Sequence, residues 1–444
     1  MQTKRNKIMK RMFYRIPVEL VSPMSVSSGT NAATDHDVLV TEHGLPFITG
    51  SSIAGAFREY LHGNSPDLEK SLFGFIVPPA TKNQNQEETQ KGAMSRLFVS
   101  DIVFENAVIS VRDGVALTED KTADDTGKFN YQIAEAGASG ILCMEIVIYE
   151  NDDLKQEQIE NAVQLLLSAM QAGVIRFGFK KNRGMGRMQV TKDFGYRFFD
   201  FLKGIEEARD YLKFLENESY EEKTFVPCEE LPNDDCITMK IPLTLTGGIS
   251  IRTYSAKPND PDYSHLTSRS VKGGTVPVIP GSSWNGAIRA RAIDLLKHEL
   301  DCKKLVAELE AAWGKQEGNT YTASQILFAE SEMEKAHMLR MTRNKINRFD
   351  ASTVNSALYT ERTCVEGNTE LEIRIRKPED NAWIAGLLWL AVQDLCHGLL
   401  AVGGLTSVGR GIFSGEYALP DEEYLKALQQ KIEEVKAHEA NQNA

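Results

Sequence analysis

Two α+β domains in tandem, each with a strand, helix, strand, strand, helix, strand order, form the architecture this sequence predicts. A thirteen-residue segment occurs twice, as PFITGSSIAGAFR at Pro46 to Arg58 and as PVIPGSSWNGAIR at Pro277 to Arg289, with eight identities. The elements around it repeat in the same order. At 444 residues the chain also exceeds what one hydrophobic core usually organises, so two domains of roughly 200 residues each are expected.

In the first repeat, Phe13 to Leu20 alternates apolar and polar residues, as a strand with one buried face does. A polar loop, Ser25 to Asp37, and an extended piece, Val38 to Ile48, lead to Gly50-Ser51-Ser52 and a helix from Ile53 to Leu61. Then come a strand in Arg96 to Glu105, a loop through Lys121 to Lys128, a strand at Gly140 to Tyr149, and a helix at Leu154 to Ala172. That helix carries Ile159, Val163, Leu166 and Met170 on one stripe. The second repeat matches it with a strand at Thr238 to Leu245, a loop from Thr246 to Thr275, Gly281-Ser282-Ser283 and a helix from Trp284 to Leu300. A strand in Gln325 to Met333, a loop through Asn344 to Tyr359, a strand at Thr369 to Arg376 and a helix at Asn381 to Leu399 complete it. Each half closes on a Gly/Arg-rich turn, Lys180 to Arg187 and Gly403 to Arg410. This order is the ferredoxin-like split βαβ unit. The expected division is a first domain at 11–197, a charged helical linker at 198–236, a second domain at 237–418 and a charged helix or tail at 419–444. Asn83 to Gln90 reads as an inserted polar loop.

An apolar content of 42% with 25% charged residues is that of a soluble globular protein, and no apolar run approaches the ~20 residues of a membrane span. Met1 to Arg11 has charge without a following apolar stretch, which predicts a cytoplasmic protein with no membrane partner. The six cysteines are scattered without a C-x-x-C pair, so free thiols are expected. A net charge of -12 disfavours coating by nucleic acid through bulk electrostatics, but acidic runs at Glu206 to Glu222 and Asp421 to Glu439 leave room for a local basic track.

The repeated segment suits an anion. Gly50 and Gly281 permit a tight turn, Ser51, Ser52, Ser282 and Ser283 can cap the helices that follow, and helix N-termini attract negative charge. Arg58 and Arg289 lie about two turns further on. In the first closing turn, Lys181, Arg183 and Arg187 surround glycines that let a phosphate approach, without the G-x-x-x-x-G-K-[ST] spacing of a nucleotide loop. A phosphodiester fits better than a triphosphate.

On these residues, with Lys128-Phe129-Asn130-Tyr131 and its counterpart Ala357-Leu358-Tyr359, the chain resembles the RAMP superfamily of CRISPR-Cas systems. Within it, the likeness is to Cas-seven-like backbone subunits of type III effector complexes, in the fused form of the type III-D group. The resemblance implies RRM-like, ferredoxin-like cores with inserted thumb segments, a crRNA guide lying across both domains, a complementary target RNA, and neighbouring effector subunits including further backbone RAMP proteins and a large subunit. It places Ser51, Ser52, Arg58, Lys181, Arg183 and Arg187 on the guide backbone, with Ser282, Ser283, Arg289 and Arg410 in the matching places. It also implies an endoribonuclease that uses Mg2+ or another divalent metal and an aspartate in the loop after the first strand. That position falls on Asp35, as catalytic residue and metal ligand, with Asp37 in reserve and His36 as a possible acid or base. In the second repeat Asp260, Asp262 and His265 are the candidates. Asp262 lies 15 residues before Pro277 whereas Asp35 lies 11 before Pro46, so activity is expected first of the first domain. The alternatives are a scaffold that spaces the guide without cutting and a guide-processing endonuclease using His36, His43, His62 or His265.

Overall fold

The computed structural model describes residues 7–442 except 28–33, 77–91, 118–122, 151, 153, 192, 233–235, 255–258, 315, 318–319 and 419–420. The Asn83 to Gln90 loop lies outside the described residues. The chain divides into two units, Met1–Phe179 with Gly186–Asp234 and Lys180–Met185 with Asp235–Ala444.

The first unit runs β1 (Ile8–Leu20), α1 (Gly50–Asn64), α2 (Pro66–Phe73), β2 (Leu97–Val99), β3 (Ile109–Leu117), β4 (Ala123–Ala134), β5 (Ser139–Tyr149), α3 (Gln156–Gln171), β6 (Met188–Val190), β7 (Phe194–Asp200) and α4 (Ile205–Asn217). Strand β1 is central, with β5 on one side, β6 and β7 along the other, and β2 beyond β5, all antiparallel. That is the ferredoxin-like strand arrangement. Alternation along β1 buries Met12, Tyr14, Ile16, Val18 and Leu20, and the Ile159, Val163, Leu166, Met170 stripe of α3 closes the same core. Strands β3 and β4 form a hairpin in the place of the expected thumb, and the end of β4 also bridges Met24 and His36 in the loop after β1.

The second unit repeats the plan with β8 (Cys236–Thr246), α5 (Gly281–Asp294), α6 (Leu305–Ala312), β9 (Ile326–Phe328), β10 (His337–Arg343), β11 (Tyr359–Val365), β12 (Asn368–Arg376), α7 (Pro378–Cys396), β13 (Ile412–Ser414) and α8 (Glu423–Gln442). Its sheet order, β9-β12-β8-β13, matches that of the first unit.

Three boundaries differ from the sequence reading. Residues 198–234 belong to the first unit: β7 is in its sheet, and Phe214 of α4 packs 4.9 Å from Phe13 and 5.3 Å from Phe199. Aromatic contacts outweigh the charge that suggested a linker. The tail is likewise packed, because α8 lies on α7 so closely that a Cβ at Gly386 would stand 2.4 Å from the Tyr424 carbonyl oxygen. The repeated helices also open earlier, at Gly50 and Gly281 themselves. A Cβ there would lie 2.1 Å from the Val99 carbonyl oxygen and 2.2 Å from that of Phe328, so each glycine lets a helix start rest on the backbone of β2 or β9. Thr49 is the first N-cap, its hydroxyl accepting from the Ser52 N–H at 3.3 Å, and Pro280 holds that place in the second repeat without a side-chain bond.

Candidate functional site

Asp35 and Asp262 occupy the same place in the two repeats. Residues 36 and 131 form a parallel bridge, as do 263 and 361. One residue earlier, the Asp35 N–H donates to Asn130 Oδ1 at 3.0 Å and the Asn130 N–H donates to Asp35 Oδ2 at 2.8 Å. In the second unit the Asp262 N–H donates to the Thr360 carbonyl at 2.9 Å and the Thr360 N–H donates to Asp262 Oδ2 at 2.6 Å. Both aspartates are exposed. The four extra residues before Pro277 therefore do not displace the second aspartate. The counterpart of Lys128-Phe129-Asn130-Tyr131 is Leu358-Tyr359-Thr360-Glu361, so Glu361 and not Tyr359 stands in the place of Tyr131.

The neighbouring candidates differ. Asp37 is 7% exposed and accepts a hydrogen bond from the Thr34 hydroxyl, so it faces inward. Asp260 is exposed, two residues ahead of the anchored aspartate. His265 is buried, its Nδ1 accepting from the Ile251 N–H and its Nε2 donating to the Val278 carbonyl, both at 3.1 Å. Burial pushes its pKa down to about 4, so it is a neutral structural residue with both nitrogens engaged. The other three candidate histidines have separate surroundings: the His36 ring packs on Phe179 at 5.5 Å, His43 lies beside Glu42, and His62 bonds Glu69. Phe179, 42% exposed, also meets Tyr131 edge-on at 6.2 Å. This aromatic group next to Asp35 was missed in the sequence, although Phe179 directly precedes the Lys/Arg-rich turn.

Along each repeated helix, a serine, a glycine and an arginine fall on one face at i, i+4 and i+7: Ser51, Gly55 and Arg58, then Ser282, Gly286 and Arg289. Both glycines are exposed, and a Cβ at either would meet nothing within 4 Å. A mid-helix glycine costs about 1 kcal/mol relative to alanine, so neither is explained by packing. Each arginine bonds a carboxylate of the following helix: Arg58 Nε reaches Glu69, with NH2 donating to the Gly74 carbonyl at 3.2 Å, and Arg289 NH2 reaches Glu310 at 3.4 Å. At the start of α1 an internal anion is present, since the Gly50 N–H donates to Asp101 Oδ1 at 2.8 Å. Ser51, Ser52 and Ser282 remain exposed, and Ser283 is half-buried.

The closing turns share one backbone. Lys180 and Leu405 are left-handed at φ 55° and 60°, a 3-10 turn follows at Lys181–Arg183 and Thr406–Val408, and Gly184 and Gly409 are left-handed at φ 90° and 82°. Val408 therefore stands where Arg183 does. Arg410 matches the buried Met185, not Arg183 or Arg187, and this corrects its expected place. Its side chain is 14% exposed and lies 3.6 Å from Glu361, a fully buried carboxylate that also meets Arg343 at 3.1 Å and the Tyr263 hydroxyl at 3.2 Å. Lys181 is exposed, and Arg187 is half-buried with its N–H donating to the Ser22 hydroxyl. Arg183 has no carboxylate partner among the described residues, and burial together with the nearby Arg289 guanidinium lowers its pKa to about 10.

Among the described residues, no group of three or more His, Cys, Asp or Glu is placed to hold a metal ion, and no helix is long and apolar enough to cross a membrane. Fold and site together define a class: two fused ferredoxin-like domains with one matching site in each. The chain belongs to the RAMP superfamily, whose family model matches residues 18–189 and 242–414, one match per repeat. That superfamily supplies the RNA-binding subunits associated with CRISPR systems. No curated protein sequence matches the chain.

Proposed function

We propose that this chain is a backbone subunit of a type III CRISPR-Cas effector complex, which holds the crRNA guide on both domains and cuts the paired target RNA at Asp35 and Asp262. The observation that carries cleavage is the matched pair of exposed aspartates, each fixed by the backbone N–H of a thumb strand. An aspartate held this way keeps its second oxygen available to take the proton of a ribose 2′-hydroxyl. The 2′-oxygen then bonds to the adjacent phosphorus as the bond to the 5′-oxygen breaks, leaving a cyclic phosphate and a 5′-hydroxyl that picks up a proton. One exposed carboxylate per site suits Mg2+ in the mode where phosphates and water provide most ligands, and the ion would neutralise phosphate charge.

Guide binding is supported by the two Ser-Gly-Arg helix faces. Their bare glycines let a sugar-phosphate backbone come close to the helix. Arg183 beside Arg289 supplies two cationic groups whose mutual repulsion a phosphate would relieve. Lys181 adds an exposed charge on the same turn, and Phe179 offers a ring for stacking a base. Other subunits of the complex are the natural neighbours of a chain with net charge -12.

The test is a reconstituted effector carrying Asp35→Asn, Asp262→Asn or both. Asparagine still accepts the Asn130 or Thr360 N–H, so the loop stays in place while the charge is lost. Each single variant is expected to lose one cut in the target, and the double variant both. A target cut unchanged by the double variant overturns the assignment. The second reading, a scaffold that does not cut, is favoured by the same hydrogen bonds, which would fasten the loop whatever the aspartate's chemistry. It predicts that the wild-type complex binds target RNA and leaves it whole.

A further inference from the structure

The hairpins that anchor the two aspartates carry different surfaces. In the second unit the strand register sets Arg340 of β10 directly across from Arg362 of β11, and both side chains are exposed. Like charges placed opposite one another on antiparallel strands repel. No carboxylate among the described residues relieves them: Arg340 NH2 donates to the Asn259 carbonyl at 3.3 Å, and Arg362 makes no hydrogen bond or ion pair there. In the first unit the same two places hold Val111, 46% exposed, and Gln132, which face each other across β3 and β4. The hairpin therefore forms without the arginines, and strand pairing does not account for them.

The pair shares a face with Asp262. Tyr263 lies beside Glu361 and Ser264 beside Arg362 in the parallel bridge, and the Tyr263 hydroxyl donates to Glu361, so those two side chains turn inward together. Alternation along the strands then places Asp262, Ser264, Thr360, Arg362, Arg340 and Thr342 on the opposite, outer face. Arg362 stands two residues beyond Thr360, whose N–H holds Asp262, a separation of about 7 Å along the strand. Two guanidinium forks without a carboxylate, beside an anchored aspartate, match the oxygens of a phosphodiester.

We propose that Arg340 and Arg362 grip the target phosphate on which Asp262 acts, and that the second site consequently needs less divalent metal than the first. This rests on the reading that both aspartates cut RNA. As the 2′-oxygen bonds to phosphorus and the bond to the 5′-oxygen breaks, negative charge builds on the two non-bridging oxygens, and guanidinium N–H groups stabilise it as a cation does. The arginines exchange no proton and form no covalent bond. Val111 and Gln132 carry no charge, so the cut at Asp35 depends more on the metal.

The test uses a reconstituted effector with Arg340→Val and Arg362→Gln together, the residues of the first repeat. With both cuts of one target read side by side over a magnesium titration, the wild-type second cut is expected to reach half its full rate at a lower concentration than the first. The double variant should slow the second cut about tenfold or more, raise its magnesium demand to that of the first, and leave the first unchanged. A second readout needs neither metal nor cutting: with Asp35→Asn and Asp262→Asn in place and a chelator present, the two arginine substitutions should weaken target binding and lower its salt slope by about 1. Arg340→Lys with Arg362→Lys should restore that slope. Equal magnesium demand of the two wild-type cuts, or a second cut that ignores the double variant, overturns the proposal. So does an unchanged salt slope, or a lost cut accompanied by a lower melting temperature, which would make the arginines part of the hairpin's stability. A wild-type complex that leaves its target whole would instead overturn the cleavage reading and this metal dependence with it, while the salt slope still decides whether the arginines hold a phosphate.

Discussion

The two repeats share their sheet order, their anchored aspartates and the glycines that seat a helix on a strand, yet they differ in what charged side chains do. In the first, the residue two places beyond the 3-10 turn is Met185, an apolar residue 3% exposed, and in the second it is Arg410, buried against Glu361. The close backbone contacts at Gly50 and Gly281, which leave no room for a Cβ, are kept in both copies. Polar groups around them have diverged. Identity in the repeated segment therefore reports close packing first, and a ligand only where packing leaves a residue unexplained, as at Gly55 and Gly286.

The largest expected break in that comparison is at Arg410. Arg410→Met leaves Glu361 fully buried with Arg343, 39% exposed, as its only cation among the described residues, and losing one partner of a buried ion pair costs about 4 kcal/mol. Urea denaturation of the full chain should show the second unit unfolding earlier while the first is unmoved. Glu361→Gln combined with Arg410→Met should recover much of the loss. A loss below about 1 kcal/mol, the scale of a surface pair, would mean that Glu361 does not depend on Arg410.

Acid should separate the units next. His265 corresponds to Val38 of the first repeat, so only the second unit holds a buried imidazole at this place. Its pKa falls from 6.5 to about 4 on folding, chiefly through burial, so the folded chain keeps it neutral. Above pH 6.5 its stabilisation is fully present. As pH falls toward 4 the unfolded chain gains a proton that the folded one refuses, and about 3 kcal/mol is lost. Thermal melts across that range should show the second unit weakening more steeply, and His265→Gln should flatten the difference.

A smaller contrast sharpens the pairing of the closing turns. Gly184→Ala meets both a left-handed backbone and the Glu330 N, whereas Gly409→Ala meets only the backbone conformation. Costs of about 2 and about 1 kcal/mol are expected in the monomer, read from denaturation midpoints. Equal costs would mean that the first turn is not seated.

What was legible in the sequence was periodic or duplicated. The alternation of β1, the stripe of α3 and the Pro46 and Pro277 segments all depend on neighbours along the chain, and they led to the ferredoxin-like order. The match between Asp35 and Asp262 was not legible, because their spacing was measured to the helix ahead while the structure anchors them to Asn130 and Thr360, about a hundred residues later. Arg410 was misplaced for a related reason: Gly-Arg letters were matched, but left-handed residues at 180 and 405 set the register. The membership of Lys180–Met185 in the second unit rests on contacts with residues 281 and 328–330, which no local pattern reveals.

The smallest stability effect bears most directly on function. Gly55 and Gly286 have ordinary helical backbone and open space where a Cβ would go, so Gly55→Ala and Gly286→Ala should each stabilise their unit by roughly 0.5–1 kcal/mol, through helix propensity and a less free unfolded chain. If an RNA backbone lies on the Ser-Gly-Arg faces, Gly55→Leu and Gly286→Leu should weaken guide binding in the reconstituted complex while their melting temperatures do not fall. Stability and binding would then move in opposite directions at the same residue, an outcome that a purely structural glycine cannot produce. Leucine variants that bind guide as the wild type does would remove the helix faces from the RNA path and leave Lys181, Arg183 and Phe179 as the remaining candidate contacts.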